Sequence, residues 1–520
     1  MRGSVFSTVG VRRLYSRQYR GRRFVLVSRL PHRVFPAAIA ALAIALAFPA
    51  AGASIASHPF TTGLAPSAEI YAGDQAVVFD RMHAAGMSSI DAAVDWVSIA
   101  PAKEPDSWRP ADPNDPHYDW SSSDVRLRAI AKAGFQPIVV VAAAPTWARV
   151  LPQFARSAPK VEDFAAFMRA AAERYSGRHS GLPRVRYWRI WSEPNISVYF
   201  RPQFDPTTKK FTSPEIYRNM VNRSAAEIHA VNKDNVVIAG GTAPFRDIDP
   251  EVVALDKDWG PLKFMRRLLC IDNAGRPICA NRTSFDIWST HPYTSGGPTH
   301  HAELPYDVSL GDLPEMHSAL AAAVRAGHVV STQRVRFWVT EFGWDSNKPD
   351  PCAAPMALLK RWVPEALYRM WANGIDHVNW FRLMDDPMTV TIFQSGLFFT
   401  APTIDAAKPK PFVEGFRFPF VALRRDNLVY VWAHTPLGRP ARVTIQQTFQ
   451  GGWRAIKKLR TDRYGIVQAS LHARATGQFR AILPSGERSL QFSMRVPRDR
   501  FFNPFGRPVL TPKEPNSCTG

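Results

Sequence analysis

The sequence predicts an α/β fold, a (β/α)8 TIM barrel, followed by a small all-β sandwich. Three observations predict it. Between residues 57 and 418, apolar runs of strand length alternate eight times with segments of helical period, the pattern of a parallel sheet wrapped by helices. No Gly-rich phosphate turn follows the first run, which lowers the alternative of a doubly wound open sheet. Beyond Pro419 the texture changes to short strands separated by Gly, Pro and Asp, with little helical period. The chain thus divides into a basic leader over 1–56, a barrel over 57–418 and a β-domain ending in an extended tail over 419–520.

The elements follow in order. Residues 1–33 hold nine Arg and no acid, and an Ala-rich apolar run from Val34 to Ala50 precedes Ala51-Gly52-Ala53. A basic segment, an apolar core and small residues describe a secretory signal. A retained anchor is the alternative, and the run is short for a membrane span. The mature protein is expected to be secreted, with no stable span after cleavage. Barrel strands are expected at 60–64, 88–95, 136–143, 185–193, 235–240, 285–291, 334–341 and 377–382. Helices are expected at 75–85, 123–133, 161–175, 214–231, 261–269, 314–326 and 353–371, with a poorly marked last one near 411–418. Segments 101–120 and 292–313 read as long loops. Six short strands are expected past residue 428.

Export makes the four cysteines interpretable. Cys270 and Cys279 bracket a Gly/Pro-containing turn and are expected to pair, which leaves Cys352 and Cys518 to pin the tail to the barrel. No metal-ligand spacing occurs, so no metal is expected, and no cofactor is implied. Of the net charge of +21, the leader contributes +9 and residues 419–520, with 17 Lys/Arg against 5 Asp/Glu, contribute +12, so the barrel segment is neutral. The basic β-domain has two readings: a solvated, bracing surface, or a surface that holds an anionic polymer. Nucleic acid is not expected, since no nucleic-acid motif is present.

Two stretches carry the chemistry. Tyr187 to Asn195 (YWRIWSEPN) and Val335 to Trp344 (VRFWVTEFGW) each run as an aromatic-rich strand into a glutamate, Glu193 and Glu341. Strand C-termini face the active site of a barrel, so the two carboxylates are expected to work together. Trp96, Trp147, Trp191, Trp288, Trp344 and Trp380 lie at the same strand ends, and flat indole faces suit sugar rings. Two carboxylates with stacking platforms point to glycosidic bond cleavage. Glu193, beside apolar Trp191 and Pro194, is the candidate for a raised pKa. Asp95, Arg189, Asp385 and Asp386 could contact substrate or form buried ion pairs. Trp188, Trp338, Trp362 and Trp371 are expected to be core.

The segment from Phe60 to Phe418 resembles glycoside hydrolase clan A, and within it family 39, which includes β-xylosidases and α-iduronidases. The motifs that carry the resemblance are Trp191-Ser192-Glu193-Pro194-Asn195, His291-Pro292-Tyr293 and Thr340-Glu341-Phe342-Gly343-Trp344. The resemblance implies a retaining double displacement on an oligo- or polysaccharide, with Glu193 as acid/base and Glu341 as nucleophile. It further implies that Tyr293 hydrogen-bonds the nucleophile and that Trp380 floors the sugar subsite. Ser192 stands where the clan usually has Asn, which implies an altered contact to the sugar 2-hydroxyl. Ser192, Asn195 and His291 join the tryptophans as expected substrate-site residues. A carbohydrate-binding protein without catalysis is the competing reading.

Overall fold

The computed structural model describes residues 55–71, 74–391, 393–498 and 502. The leader segment up to residue 54, Cys518 and the expected tail from residue 508 lie outside the described residues. Eight parallel strands form a closed barrel: β1 (Thr61–Leu64), β2 (Ser89–Ala93), β3 (Gln136–Val141), β4 (Tyr187–Ile190), β5 (Val236–Thr242), β6 (Ile287–Thr290), β7 (Arg336–Phe342) and β8 (Ile375–Trp380). Each strand pairs with its sequence neighbour and β8 closes on β1, with Thr62 opposite Val378. The strands read as continuous apolar runs because both faces are covered, by the barrel interior and by the helical ring.

The principal outer helices are α1 (Gln75–Ala84), α2 (Ser121–Lys132), α3 (Val161–Arg174), α4 (Ser213–Val231), α5 (Pro261–Leu268), α6 (Leu313–Arg325), α7 (Met356–Ala372) and α8 (Val413–Arg417). Asp74 caps α1 by accepting from the Ala76 and Val77 amides, and Pro261 begins α5, where its missing N–H costs nothing. Among the described residues, no helix is long and apolar enough to cross a membrane.

The barrel interior is stratified. At the N-terminal end, Ile138, Val236, Ile238, Ile287 and Trp338 form an apolar plug separate from the outer core. Above it the inward residues are polar: Asp91 on β2, Arg189 on β4, Ser289 on β6, Thr340 on β7 and Asn379 on β8, all buried. Room for that layer depends on Gly63 of β1, where a Cβ would stand 2.1 Å from Ser89 Oγ and 2.4 Å from Asn379 Oδ1.

The second domain packs two antiparallel sheets. One orders β9 (Phe420–Arg425), β10 (Leu428–His434) and β13 (Ile466–Leu471). The other contains β11 (Arg442–Phe449), β12 (Gly452–Arg460), β14 (Gln478–Ile482) and β15 (Phe492–Ser493), with β11 between β12 and β14. Strand β9 was not expected from the sequence. The barrel and this domain share one hydrophobic core: Tyr368 and Trp371 of α7 pack on Trp432 of β10. The segment before β1 joins the same seam. His58 stacks on Trp371, Phe60 meets Trp432 edge-on, and the Ile55 backbone both donates to and accepts from the Gln468 amide.

Cys270 and Cys279 form a disulfide across 5.3 Å between Cα atoms, closing the expected turn. Cys352 is disulfide-bonded as well.

Candidate active site

Strand β4 ends at Ile190, three residues before Glu193, earlier than the alternation predicts. Trp191 (φ +66°) and Glu193 (φ +51°) both take left-handed backbone, a strained choice for side chains of this size. Neighbouring strands hold it: the Trp191 amide donates to Val141 O at 3.0 Å and the Glu193 amide to Gly241 O at 2.9 Å. Gly241, itself at φ +58°, takes the left-handed backbone that side chains rarely adopt, and from there its carbonyl accepts the Glu193 amide at the end of β5.

Glu193, His291 and Glu341 converge there. His291 Nδ1 lies 3.0 Å from Glu193 Oε1. On its other side, His291 Nε2 faces Thr340 Oγ1 at 3.1 Å, Arg189 Nη1 at 3.4 Å and Glu341 Oε1 at 3.8 Å. A guanidinium only donates, so Nε2 accepts; Nδ1 therefore carries the proton and donates to Glu193. Burial drives the His291 pKa down to about 4, helped by Arg189 and opposed by Glu341, so the ring is neutral at ordinary pH. Arg189 also reaches Glu341 Oε1 at 3.8 Å and Asp91 Oδ2 at 3.2 Å. Buried ion pairing thus accounts for Arg189, and the pair borders both glutamates.

The two carboxyls differ in their surroundings. Burial pushes Glu193 up to about 8, with Arg189 alone opposing it. Burial also raises Glu341, but His291 and Arg189 both pull it back, against smaller repulsion from Glu193 and Asp91. Asp91 is raised by burial to about 6, opposed chiefly by Arg189. Glu193 is the protonated member at neutral pH.

The expected platforms need correction. Trp96 is 1% exposed and stacks on Phe167 of α3. Trp191 is fully buried, donates to Tyr199 O at 2.9 Å and packs on Phe164 and Phe200. Trp344 donates to Gly296 O and packs on Phe342 and Trp362. Trp380, also fully buried, donates to Ser395 O and lies against Phe412 and Phe416. Trp288 is fully buried beside Phe285. These rings build the barrel wall and offer no face to a sugar. Trp147 is half-buried, donates to Pro101 O and meets Trp96 and Trp108 edge-on, at the rim.

Asn195 is likewise corrected. Its amide is fully buried and exchanges two hydrogen bonds with the Ala243 backbone, stapling the ends of β4 and β5. Ser192 is half-buried beside Glu193. Tyr293 is half-buried, its ring stacked on Phe342 and edge-on to Phe393, which in turn stacks on Phe381. Asp385 pairs with buried Lys410 and Asp386 with Arg382, while Asp95 caps the helix that begins at Trp96.

Several residues escaped the sequence reading. Tyr199 lies close enough to both glutamates and to Arg156 for all three to act on its hydroxyl. Phe381 and Phe393 are half-buried aromatics at the end of β8. Asp91 and Thr340 could have been found by parity, since inward positions on barrel strands alternate. Among the described residues, no group of three or more His, Cys, Asp or Glu is placed to hold a metal ion.

No family model and no curated protein matches the sequence. Among solved structures, the chain is similar to a monomeric β-xylosidase from Caulobacter crescentus CB15, at 14% identity over 79% of this chain and 93% of that one, with a TM-score of 0.45. It is similar to the GH39 enzyme from Xanthomonas axonopodis pv. citri, at 14% identity over 79% and 91%, with a TM-score of 0.43. It is also similar to a glucosidase from Croceicoccus marinus, at 13% identity over 79% and 92%, with a TM-score of 0.41.

Proposed function

We propose that this chain is an exported retaining glycoside hydrolase acting on an oligo- or polysaccharide. One observation carries the reading: Glu193 and Glu341 flank a single buried, neutral imidazole, and their surroundings leave the proton on Glu193. Glu193 is the acid that protonates the leaving glycosidic oxygen. Glu341, whose charged form Arg189 favours against its burial, attacks the anomeric carbon and forms a glycosyl-enzyme ester. That ester removes the negative charge of Glu341, and Glu193 then takes a proton from the water that cleaves it. His291 orients Glu193 by donating from Nδ1, which leaves the second carboxyl oxygen for the substrate. Half-buried Tyr199, Tyr293, Phe381 and Phe393 supply the apolar lining for a sugar ring. The Cys270–Cys279 disulfide is consistent with an oxidising compartment.

The intact carboxyl pair weighs against a purely carbohydrate-binding role, which needs neither glutamate. The test is reducing-end release across neutral and acidic polysaccharides by the wild type, Glu193→Ala and Glu341→Ala. The expected result is release by the wild type, lost by roughly three or more orders of magnitude in Glu341→Ala. Azide should restore turnover to Glu193→Ala with a glycosyl azide of retained configuration, and to Glu341→Ala with one of inverted configuration. Activity that survives Glu341→Ala would overturn the reading.

A further inference from the structure

Among the described residues, the outer face of the four-stranded sheet carries positive charge with no counter-charge. Along β11, Val443 and Ile445 turn inward and are buried with Phe479 and Ala481 of β14. The opposite side is read from the register. Arg442 stands across from Arg460, Thr444 lies between Lys458 and Ile482, Gln446 is beside Arg480, and Thr448 is beside Trp453. Arg488 bridges to Ile482 at the edge of the same sheet. Five cations thus crowd one sheet face.

Residues 439–498 contain two acids, and both are occupied elsewhere. Asp462 accepts from the Tyr464 and Ile466 amides of its own turn and from Ser57. Glu487 is paired with Arg417 of α8. The face is also ordered. The Arg480 guanidinium lies 4.1 Å from the centre of the half-buried Trp453 ring, and its Nε donates to Gln446 Oε1 at 2.8 Å. Partial burial and repulsion from Arg488 both lower the Arg480 pKa, as expected of cations gathered without an anion.

We propose that this face binds an acidic polysaccharide, with the arginines and Lys458 on its carboxylates and Trp453 against a sugar ring. Charge complementarity alone calls for a polyanion; the choice of a glycan among polyanions rests on the glycosidase reading of the barrel. The β-domain would then hold the polymer that the barrel cuts.

The test uses the full mature chain carrying Glu193→Gln, so that binding is separated from hydrolysis. Its migration is followed through gels containing polygalacturonate, neutral xylan or poly-glutamate, with single-stranded DNA as a competitor. Polygalacturonate should retard it in a salt-sensitive way and xylan should not. Lys458→Gln/Arg460→Gln, on an exposed edge strand where the fold is little affected, should weaken retardation about tenfold for the loss of two of five charges. Trp453→Ala should weaken polygalacturonate binding several-fold and leave poly-glutamate binding unchanged. No retardation of the parent chain by polygalacturonate, or retardation indifferent to the double substitution, would overturn the proposal. Equal binding of all three polyanions with no effect of Trp453→Ala would overturn the glycan as occupant. Retention without hydrolysis of any glycan by the wild type would sink the barrel's function and leave this surface standing.

Discussion

Replacing Glu193 by Gln should stabilise the protein, and increasingly so as pH rises. Gln keeps an oxygen to accept from His291 Nδ1 but cannot ionise. In the wild type, the carboxyl moves from an ordinary value of 4.5 to about 8 on folding. A group raised in this way contributes nothing unfavourable while both states are protonated. It weighs against the native state as pH climbs from 4.5, where the unfolded carboxyl ionises, until about 8, where the folded one follows. Linkage puts that burden at about 1 kcal/mol near pH ~5 and about 5 kcal/mol near pH ~9. With an unfolding entropy near ~2 cal/mol/K per residue, each kcal/mol moves the melting temperature by about 1 °C in a chain of this size. The difference in melting temperature between variant and wild type should therefore widen by about 4 °C over that interval. Scanning calorimetry at matched ionic strength measures it, and other titrating groups largely cancel in the difference. Parallel melting curves at every pH, or a difference that shrinks as pH rises, would refute the assignment of the proton to Glu193.

The same carboxyl should set the alkaline limb of kcat/KM near pH ~8, and that limb should vanish in Glu193→Gln assayed on an activated aryl glycoside needing no acid. Arg189→Met should lower stability by about 3–5 kcal/mol by stranding the Asp91 charge, and adding Asp91→Asn should recover much of that loss in the guanidinium midpoint. Opening the Cys270–Cys279 loop with a double Ser substitution should cost about 2–3 kcal/mol, read in the same denaturation, with little change in kcat/KM because the loop supplies none of the carboxyl contacts.

The barrel was legible because buried parallel strands advertise themselves as apolar runs, and both glutamates because each ends such a run. Side-chain direction was harder to read. Arg189, Trp191 and Glu193 have the same parity, so simple alternation puts all three on one face. The left-handed turns at Trp191 and Glu193 break the period, and Trp191 swings into the helical ring while its neighbours stay inside. Trp380 erred for a different reason: Asn379 is the inward residue of β8, so parity already places the indole outward against α8. Strand β9 was hidden because the change of texture was set at Pro419 and the short strands were begun at residue 428, although Phe420–Arg425 forms a hairpin with β10. The Arg189–His291–Glu341 convergence had no local signature, since its members come from three strands that meet only when the barrel closes.

The seam around Trp371 bears on the order in which the molecule is assembled. Ile55 finds its partner Gln468 at a sequence separation of 413 residues, among the most distant contacts the chain makes. Contacts of that separation close late, after the loops they span have been ordered. During synthesis, the stretch ahead of β1 therefore stays undocked until the last domain emerges. The apolar side of α7 waits for the same event. A chain shortened before residue 419 would keep every residue of the carboxyl site yet expose Tyr368 and Trp371, so its failure would show first as aggregation.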